Sequence, residues 1–139
     1  TSTRLRFWIR SAIVEAMKDA GFVYRSVSIL GGKGRIEMFL DGPRAKAREG
    51  VHLIFADEKV HPDAPEPSPG VEEVDPDDGA FRLLALEALV TMKLTSFRRK
   101  DQVQLLDMLE IGQIDATWLE RVPPSLRHRL QELLDDPDG

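Results

Sequence analysis

Five prolines between residues 61 and 79 divide this chain into two parts of different character. Proline fixes φ and cannot donate a backbone hydrogen bond, so such a stretch forms neither a helix nor an inner strand. It also lacks any apolar periodicity. We therefore predict a proline-rich acidic loop over residues 61–80, between a helix-and-sheet part over 1–60 and a helical part over 81–139.

The size and charge of the chain limit its organisation. Its 139 residues, 42% of them hydrophobic, suit one compact domain. Residues 1–48 carry ten Lys and Arg against four Asp and Glu, whereas residues 57–78 carry one against nine. The basic segment could meet phosphate and the acidic loop would repel it, while solvated surface is the alternative explanation of both.

The cellular compartment is indicated by what the composition lacks. There is no cysteine, so the chain has neither disulfides nor thiolate sites. No apolar run approaches the roughly 20 residues of a membrane helix, and the first ten residues do not resemble a signal peptide. We expect a soluble cytoplasmic protein with no membrane partner.

The first part of the chain combines one helix with several strands. Helical spacing predicts a first helix that ends near Ala20, with Gly21 as its stop signal. Phe22–Ile29 and Arg35–Leu40 alternate in polarity around a glycine-rich breaker, which predicts a hairpin. Val51–Ala56 is a compact apolar run and predicts the central strand of the sheet.

The second part of the chain is predicted to be helical. Ala85 opens a helix in which Lys93 lies on or beside an apolar stripe. Residues from about Arg99 to Glu110 form the next helix, with Val103, Leu106 and Leu109 as its buried positions. Ser125 is a good N-cap for a last helix, whose apolar face consists of Leu126, Leu130, Leu133 and Leu134. The order of elements gives an α/β or α+β fold, with helices packed on a small mixed sheet and a helical C-terminal part.

Several segments resemble parts of a known superfamily. Glu15–Phe22 is similar to the helix that follows its catalytic strand, and Val51–Ala56 to a later strand that often carries an acid. Leu84–Lys93 followed by Arg98–Asp101 is similar to a signature with a lysine-leucine pair and a basic-aspartate pair. The chain thus resembles the nucleotidyltransferase superfamily, specifically small bacterial proteins related to toxins of type IV abortive-infection systems.

This resemblance implies a nucleotidyltransferase-like core and magnesium-dependent transfer of a nucleotide from a nucleoside triphosphate to RNA or protein. The family holds its metal with a pair of carboxylates, which the resemblance places before residue 11, where this chain has no acid. His52 stands at the third-acid position, and Gln104 stands where many relatives carry aspartate. The resemblance therefore implies a core shortened or degenerate at its N-terminal edge, with weak or absent transfer.

The resemblance also assigns roles to one cluster of residues. Lys93 would bind the triphosphate, the elbow residues Arg98, Arg99 and Lys100 would contact nucleotide or RNA phosphate, and Asp101 would orient the lysine or the elbow. The residues alone leave another account open. Lys93 could pair with Asp101 or Asp107 at the helix surface, and the three elbow cations could offset the dipole at a helix C-terminus.

A second function class follows from the same features. The chain could be a non-catalytic module that binds nucleotide, RNA or a partner protein, and an antitoxin-like protein is the partner that the resemblance implies. Nothing indicates sequence-specific DNA recognition. His52 and His61 lack a third convincing ligand, so no metal site is predicted from the residues themselves, and His52 is expected to be half-buried in the sheet. Trp8 and Trp118 are expected to anchor a core or an interface.

Overall fold

The computed structural model of the protein confirms the α+β class. Its described residues form four α-helices and one three-stranded sheet. Both strand pairs are antiparallel, so the prediction of a mixed sheet is wrong. They cluster into two compact units, one formed by Thr1–Phe55 with Val60–Pro62 and one by Ala56–Lys59 with Asp63–Gly139. The expectation of a single domain stays a prediction. The structure describes residues 2–29, 34–74 and 83–138.

The first unit holds the sheet. Its elements are α1 (Ser2–Asp19), β1 (Val23–Ile29), β2 (Gly34–Leu40) and β3 (Val51–Leu53). Gly21 has φ of 96°, a left-handed conformation that glycine adopts without steric cost, and it ends α1 as the sequence predicts. The turn between β1 and β2 lies outside the described residues.

The predicted hairpin is confirmed. β1 and β2 pair antiparallel in a register that sets Val23 opposite Leu40, and β3 pairs antiparallel with the other edge of β2. Residues 37–40 of β2 are all buried, so side chains on both faces of this strand are covered. The strand order β1-β2-β3 therefore makes β2 the centre of the sheet.

The prediction that Val51–Ala56 is the central strand is wrong. Only Val51–Leu53 is a strand, and it lies at the edge of the sheet. Val51 in β3 and Ile54 directly after it are 51% and 40% exposed, so this apolar run is not buried as a central strand would be. A short apolar run is compatible with either position, and here the hairpin partner β2 takes the inner one.

The second unit is helical. Its elements are α2 (Leu86–Ser96), α3 (Arg99–Glu110), α4 (Arg127–Asp135) and two 3₁₀ turns at Ala116–Glu120 and Pro124–Leu126. The bounds predicted for α3 are confirmed. The core of this unit consists of Val90, Leu94, Leu105, Ile114, Trp118, Val122, Leu126, Leu130 and Leu133.

Two details of this unit differ from expectation. Val103 is 56% exposed and Leu105 is fully buried, so α3 is rotated relative to the predicted face. Asp101 is also buried and lies one helical turn before Leu105, so the buried face of α3 carries both residues. Ser125 does not cap α4 through its hydroxyl, which donates instead to the carboxylate of Glu66.

The described part of the proline-rich loop is ordered by backbone hydrogen bonds. The amide of Asp57 donates to the Ser68 carbonyl at 3.0 Å, and the Ser68 amide donates to the Glu58 carbonyl at 2.9 Å. Val74 forms an isolated antiparallel bridge with Leu84. None of the helices in the described ranges has the length and apolar character needed to cross a membrane.

Candidate functional site

The residues that the sequence singled out lie on one helical hairpin, α2–α3. Phe97 adopts the left-handed conformation with φ of 46°, and its amide donates to the Lys93 carbonyl at 2.8 Å, which ends α2. Arg98 is then the N-cap of α3. Lys93 is thus in the last turn of α2, and the basic elbow is the first turn of α3.

Asp101 holds this elbow together. Its side chain is 5% exposed, and it accepts hydrogen bonds from the Ser96 hydroxyl at 2.6 Å, the Arg98 backbone amide at 3.1 Å and the Arg98 Nε at 2.8 Å. A buried polar group is stable only when it is hydrogen-bonded in this way. Of the two roles predicted for Asp101, orienting the elbow therefore fits its contacts, and orienting Lys93 does not.

The environment of Asp101 also changes its ionisation. Burial raises the pKa of the carboxyl group. Hydrogen bonds from the Arg98 side chain, the Ser96 hydroxyl and the Arg98 amide lower this pKa, as does the positive charge of Arg98, and together they outweigh the effect of burial. The pKa of Asp101 is therefore below its ordinary value. The residue is a charged structural cap rather than a proton donor near neutral pH.

Lys93 has a neutral partner. Val90 and Leu94 on the same helix are fully buried, and Lys93 is partly buried beside them, as the apolar stripe predicts. Its ammonium group donates a hydrogen bond to Oε1 of Gln104 on α3. The alternative in which Lys93 pairs with Asp101 or Asp107 is wrong. The Asp101 carboxylate bonds Arg98 and Ser96, and the hydrogen bond of the Lys93 ammonium group within the described residues goes to Gln104.

The elbow cations lie between the end of one helix and the start of the next. Arg98 follows directly after Phe97, the C-cap of α2, and is the N-cap of α3, whose first two residues are Arg99 and Lys100; all three are exposed. The idea that they offset the dipole at a helix C-terminus stays a prediction for α2, but they also lie at the N-terminus of α3. A helix N-terminus carries partial positive charge, so cations there reinforce it and favour an anion nearby. Asp101 supplies one negative charge against them.

Arg129 supports the same hairpin and was not foreseen from the sequence. Its Nη1 donates to the carbonyls of Leu94 and Thr95, both at 2.7 Å, and its guanidinium lies 5.2 Å from the ring centroid of Phe97. These carbonyls belong to the last turn of α2, where helix acceptors lack partners within the helix. A basic residue over 30 positions away in sequence gives no local signal for such a contact.

A second polar cluster lies in the first unit. Glu37 on β2 is 3% exposed, and its carboxylate accepts hydrogen bonds from the Tyr24 hydroxyl and from Arg10 Nη1, the latter at 3.4 Å. Arg10 also lies 4.2 Å from the ring centroid of Phe55. The sequence gives one sign of this cluster: Glu37 is an acid on the face of β2 opposite Ile36, Met38 and Leu40.

The histidines and tryptophans differ in part from expectation. His52 is exposed rather than half-buried, and its Nε2 lies 2.8 Å from the Ala47 carbonyl oxygen. Trp118 is 4% exposed and belongs to the helical core, as predicted, but Trp8 is 74% exposed and is not a core residue. Within the described ranges, no three His, Asp or Glu side chains are placed to hold a metal ion.

The hairpin therefore joins a lysine with a neutral partner to three exposed cations, held in place by a buried aspartate. Its relationship to the nucleotidyltransferase superfamily stays a prediction from the sequence. No family model, no curated protein and no solved structure matches this chain.

Proposed function

We propose that this chain is a nucleotidyltransferase-like protein that binds the phosphates of a nucleoside triphosphate or of RNA on the α2–α3 hairpin, with weak or absent nucleotide transfer. The observation that carries the proposal is the contact between the Lys93 ammonium and the neutral Gln104 side chain. An amide oxygen accepts a hydrogen bond without cancelling the positive charge, so Lys93 keeps a full charge for an anionic ligand.

The elbow adds to this charge. Arg99 and Lys100 are exposed at the positive end of the α3 dipole and form no ion pair with the described residues. Phosphate is the anion that such an arrangement favours, because helix N-termini and basic side chains both stabilise its charge. Arg98 has a supporting role, since its Nε is already bonded to Asp101.

Catalysis is a separate matter from binding. The carboxylate of Asp101 is engaged by Ser96 and Arg98, and Gln104 offers only a neutral oxygen, so these two residues do not make a carboxylate pair for magnesium. No step of the proposal passes through a metal. The expectation of weak transfer rests on the sequence, which has no acid before residue 11.

The cellular compartment and the partner protein are inferred from the sequence. A cysteine-free chain suits the cytoplasm, where RNA and nucleoside triphosphates are present. An antitoxin-like protein is proposed as a partner on the strength of the resemblance alone.

Titration calorimetry tests the binding. ATP with magnesium, and a short single-stranded RNA in a parallel series, are titrated into the wild-type chain and into Lys93→Gln. We expect the variant to bind about tenfold more weakly, the loss of one close charge contact. Lys59→Gln removes the same charge from another exposed position and should bind like the wild type. Equal affinity of the wild type and Lys93→Gln, with both chains folded by circular dichroism, would refute the proposal.

A transfer assay tests the second half of the proposal. Radiolabelled nucleoside triphosphates are incubated with magnesium, RNA and the purified chain, and label on RNA or on protein is measured. We expect label no greater than that in a reaction without the chain. Magnesium-dependent turnover would contradict the expectation of weak transfer while leaving phosphate binding by Lys93 to be judged by calorimetry.

A further inference from the structure

A groove runs between α3 and the C-terminal end of α4, within the helical unit. Its volume is about 720 Å³, which is within the range of clefts that bind ligands. Val103, Leu106, Leu109 and Leu133 form its apolar lining. Val103 is 56% exposed, so part of this apolar lining is open to solvent.

The rim of this groove is strongly acidic. Five exposed carboxylates line it against one cation, Arg99; they belong to Asp107, Glu110, Glu132, Asp136 and Asp138. The two helices add to this negative charge, because neither α3 nor α4 has a basic residue in its last turn. Helix C-termini carry partial negative charge and are normally offset by Lys or Arg there. The groove therefore combines apolar surface with five carboxylates, none of which forms an ion pair within the described residues.

We infer that this groove binds a basic amphipathic helix of a partner protein. Apolar side chains of such a helix would cover Val103, Leu106 and Leu109, and its Lys or Arg residues would meet the carboxylate rim. The inference goes beyond the proposed function, since it uses the opposite charge and does not involve Lys93.

The length of the lining suits a helix as the occupant. Val103, Leu106 and Leu109 form one stripe about 9 Å long on α3, which is about 1.7 helical turns. An amphipathic helix that docks in a groove presents apolar residues at three-and-four spacing, and two of its turns cover this length. Long basic side chains can lie along the apolar lining and place their charge at the rim.

Fluorescence anisotropy tests this inference with a defined probe. The probe is a fluorescein-labelled peptide of about 14 residues, four helical turns, with leucine at helical spacing and lysine elsewhere. A peptide of the same composition in scrambled order tests the requirement for an amphipathic face, and one with glutamate in place of lysine tests the charge. We expect the amphipathic basic peptide to bind at least about tenfold tighter than either of these. Equal binding of the scrambled peptide would overturn the inference.

Two matched pairs of variants locate the binding. Val103→Asp alters the groove, and Ile111→Asp makes the same change at a position that is 75% exposed and outside the groove lining. Glu132→Lys reverses a rim charge, and Glu120→Lys reverses an exposed charge elsewhere. We expect only the groove variant of each pair to weaken binding, by about tenfold. Weakening by both members of each pair, or by neither, would overturn the inference.

A second copy of the chain is the competing occupant. Analytical ultracentrifugation of the wild type and of Val103→Asp decides between them. We expect both to sediment as monomers at the concentrations used for anisotropy. A wild-type dimer that Val103→Asp dissociates would place a second copy in the groove and overturn the inference. Because none of these variants alters Lys93, failure here leaves the phosphate-binding proposal intact.

Discussion

The hydroxyl group of Ser96 donates to the buried carboxylate of Asp101 at 2.6 Å, which joins the last residue of α2 to the first turn of α3. The same carboxylate accepts the backbone amide of Arg98. The Asp101 side chain thus bonds both to the last residue of α2 and to the N-cap residue of α3. The positions of Lys93 and of the basic residues depend on this contact, although Asp101 touches no ligand in the proposed function.

Replacing Asp101 with asparagine should destabilise the helical unit. The variant keeps the shape but loses the charge, and its NH2 group replaces one acceptor oxygen with a donor. Ser96, the Arg98 amide and Arg98 Nε donate to one carboxylate oxygen, and Arg98 Nη2 donates to the other at 3.4 Å, so the single oxygen of asparagine cannot accept all of these bonds. We expect the free energy of unfolding to fall by about 1–3 kcal/mol. Urea unfolding followed by the fluorescence of buried Trp118, in a Trp8→Phe background, measures it. Asp107→Asn, at an exposed position of the same helix, should have little effect; an equal loss there would contradict the capping role.

The lowered pKa of Asp101 predicts a pH dependence. The folded pKa is below the ordinary value, so the unfolded chain takes up this proton first as the pH falls. Asp101 therefore contributes its full stabilisation above the unfolded pKa of about 3.9, and this is lost as the pH falls through the folded pKa. Urea midpoints measured from about pH 6 to pH 3 should decline less steeply in Asp101→Asn than in the wild type. Parallel curves for the two proteins would contradict this assignment.

The helical unit could largely be predicted from the sequence, because its signals are local. The bounds of α3 and the apolar face of α4 follow from spacing within a few residues. The same holds in the first unit for the end of α1 at Gly21. The rotation of α3 could not be predicted, since its apolar residues fit two faces. The buried face is the one that carries Leu105 and Asp101, and Asp101 bonds Ser96 of α2, a contact between two helices that spacing within α3 does not reveal.

The candidate site could be predicted as a set of residues but not as a set of contacts. Lys93 and the elbow were found from an unusual charge in an apolar stripe. Their partners depend on which residues of α3 and α4 approach α2. The sequence marked Gln104 only through the resemblance, not as the partner of Lys93, and Arg129 gave no signal of its own. The edge position of β3 was missed for a similar reason. A three-residue strand takes its place from the pairing of β2, which sequence spacing does not determine.

Arg129 should stabilise the end of α2. Its guanidinium satisfies the carbonyls of Leu94 and Thr95, which would otherwise lack protein partners in the last helical turn. In Arg129→Gln the side chain is too short to reach both carbonyl groups. We expect this variant to lower the free energy of unfolding by about 1–3 kcal/mol. Urea unfolding measures the loss. Arg127→Gln removes the same charge at an exposed position of α4, and a comparable loss in that variant would assign the effect to net charge instead.

The neutral partner of Lys93 gives the most direct test of the proposed phosphate site. Gln104→Glu preserves the length of the side chain and the acceptor oxygen but adds a negative charge beside the ammonium group. An exposed ion pair of this kind changes stability by about 0–1 kcal/mol, so the fold should be retained. Affinity for ATP should fall severalfold, because the new carboxylate both neutralises Lys93 and repels phosphate. Calorimetry measures it, with Gln113→Glu as the charge-matched control at an exposed position outside the hairpin. If the two variants bind ATP equally well, the charge of Lys93 does not hold the nucleotide.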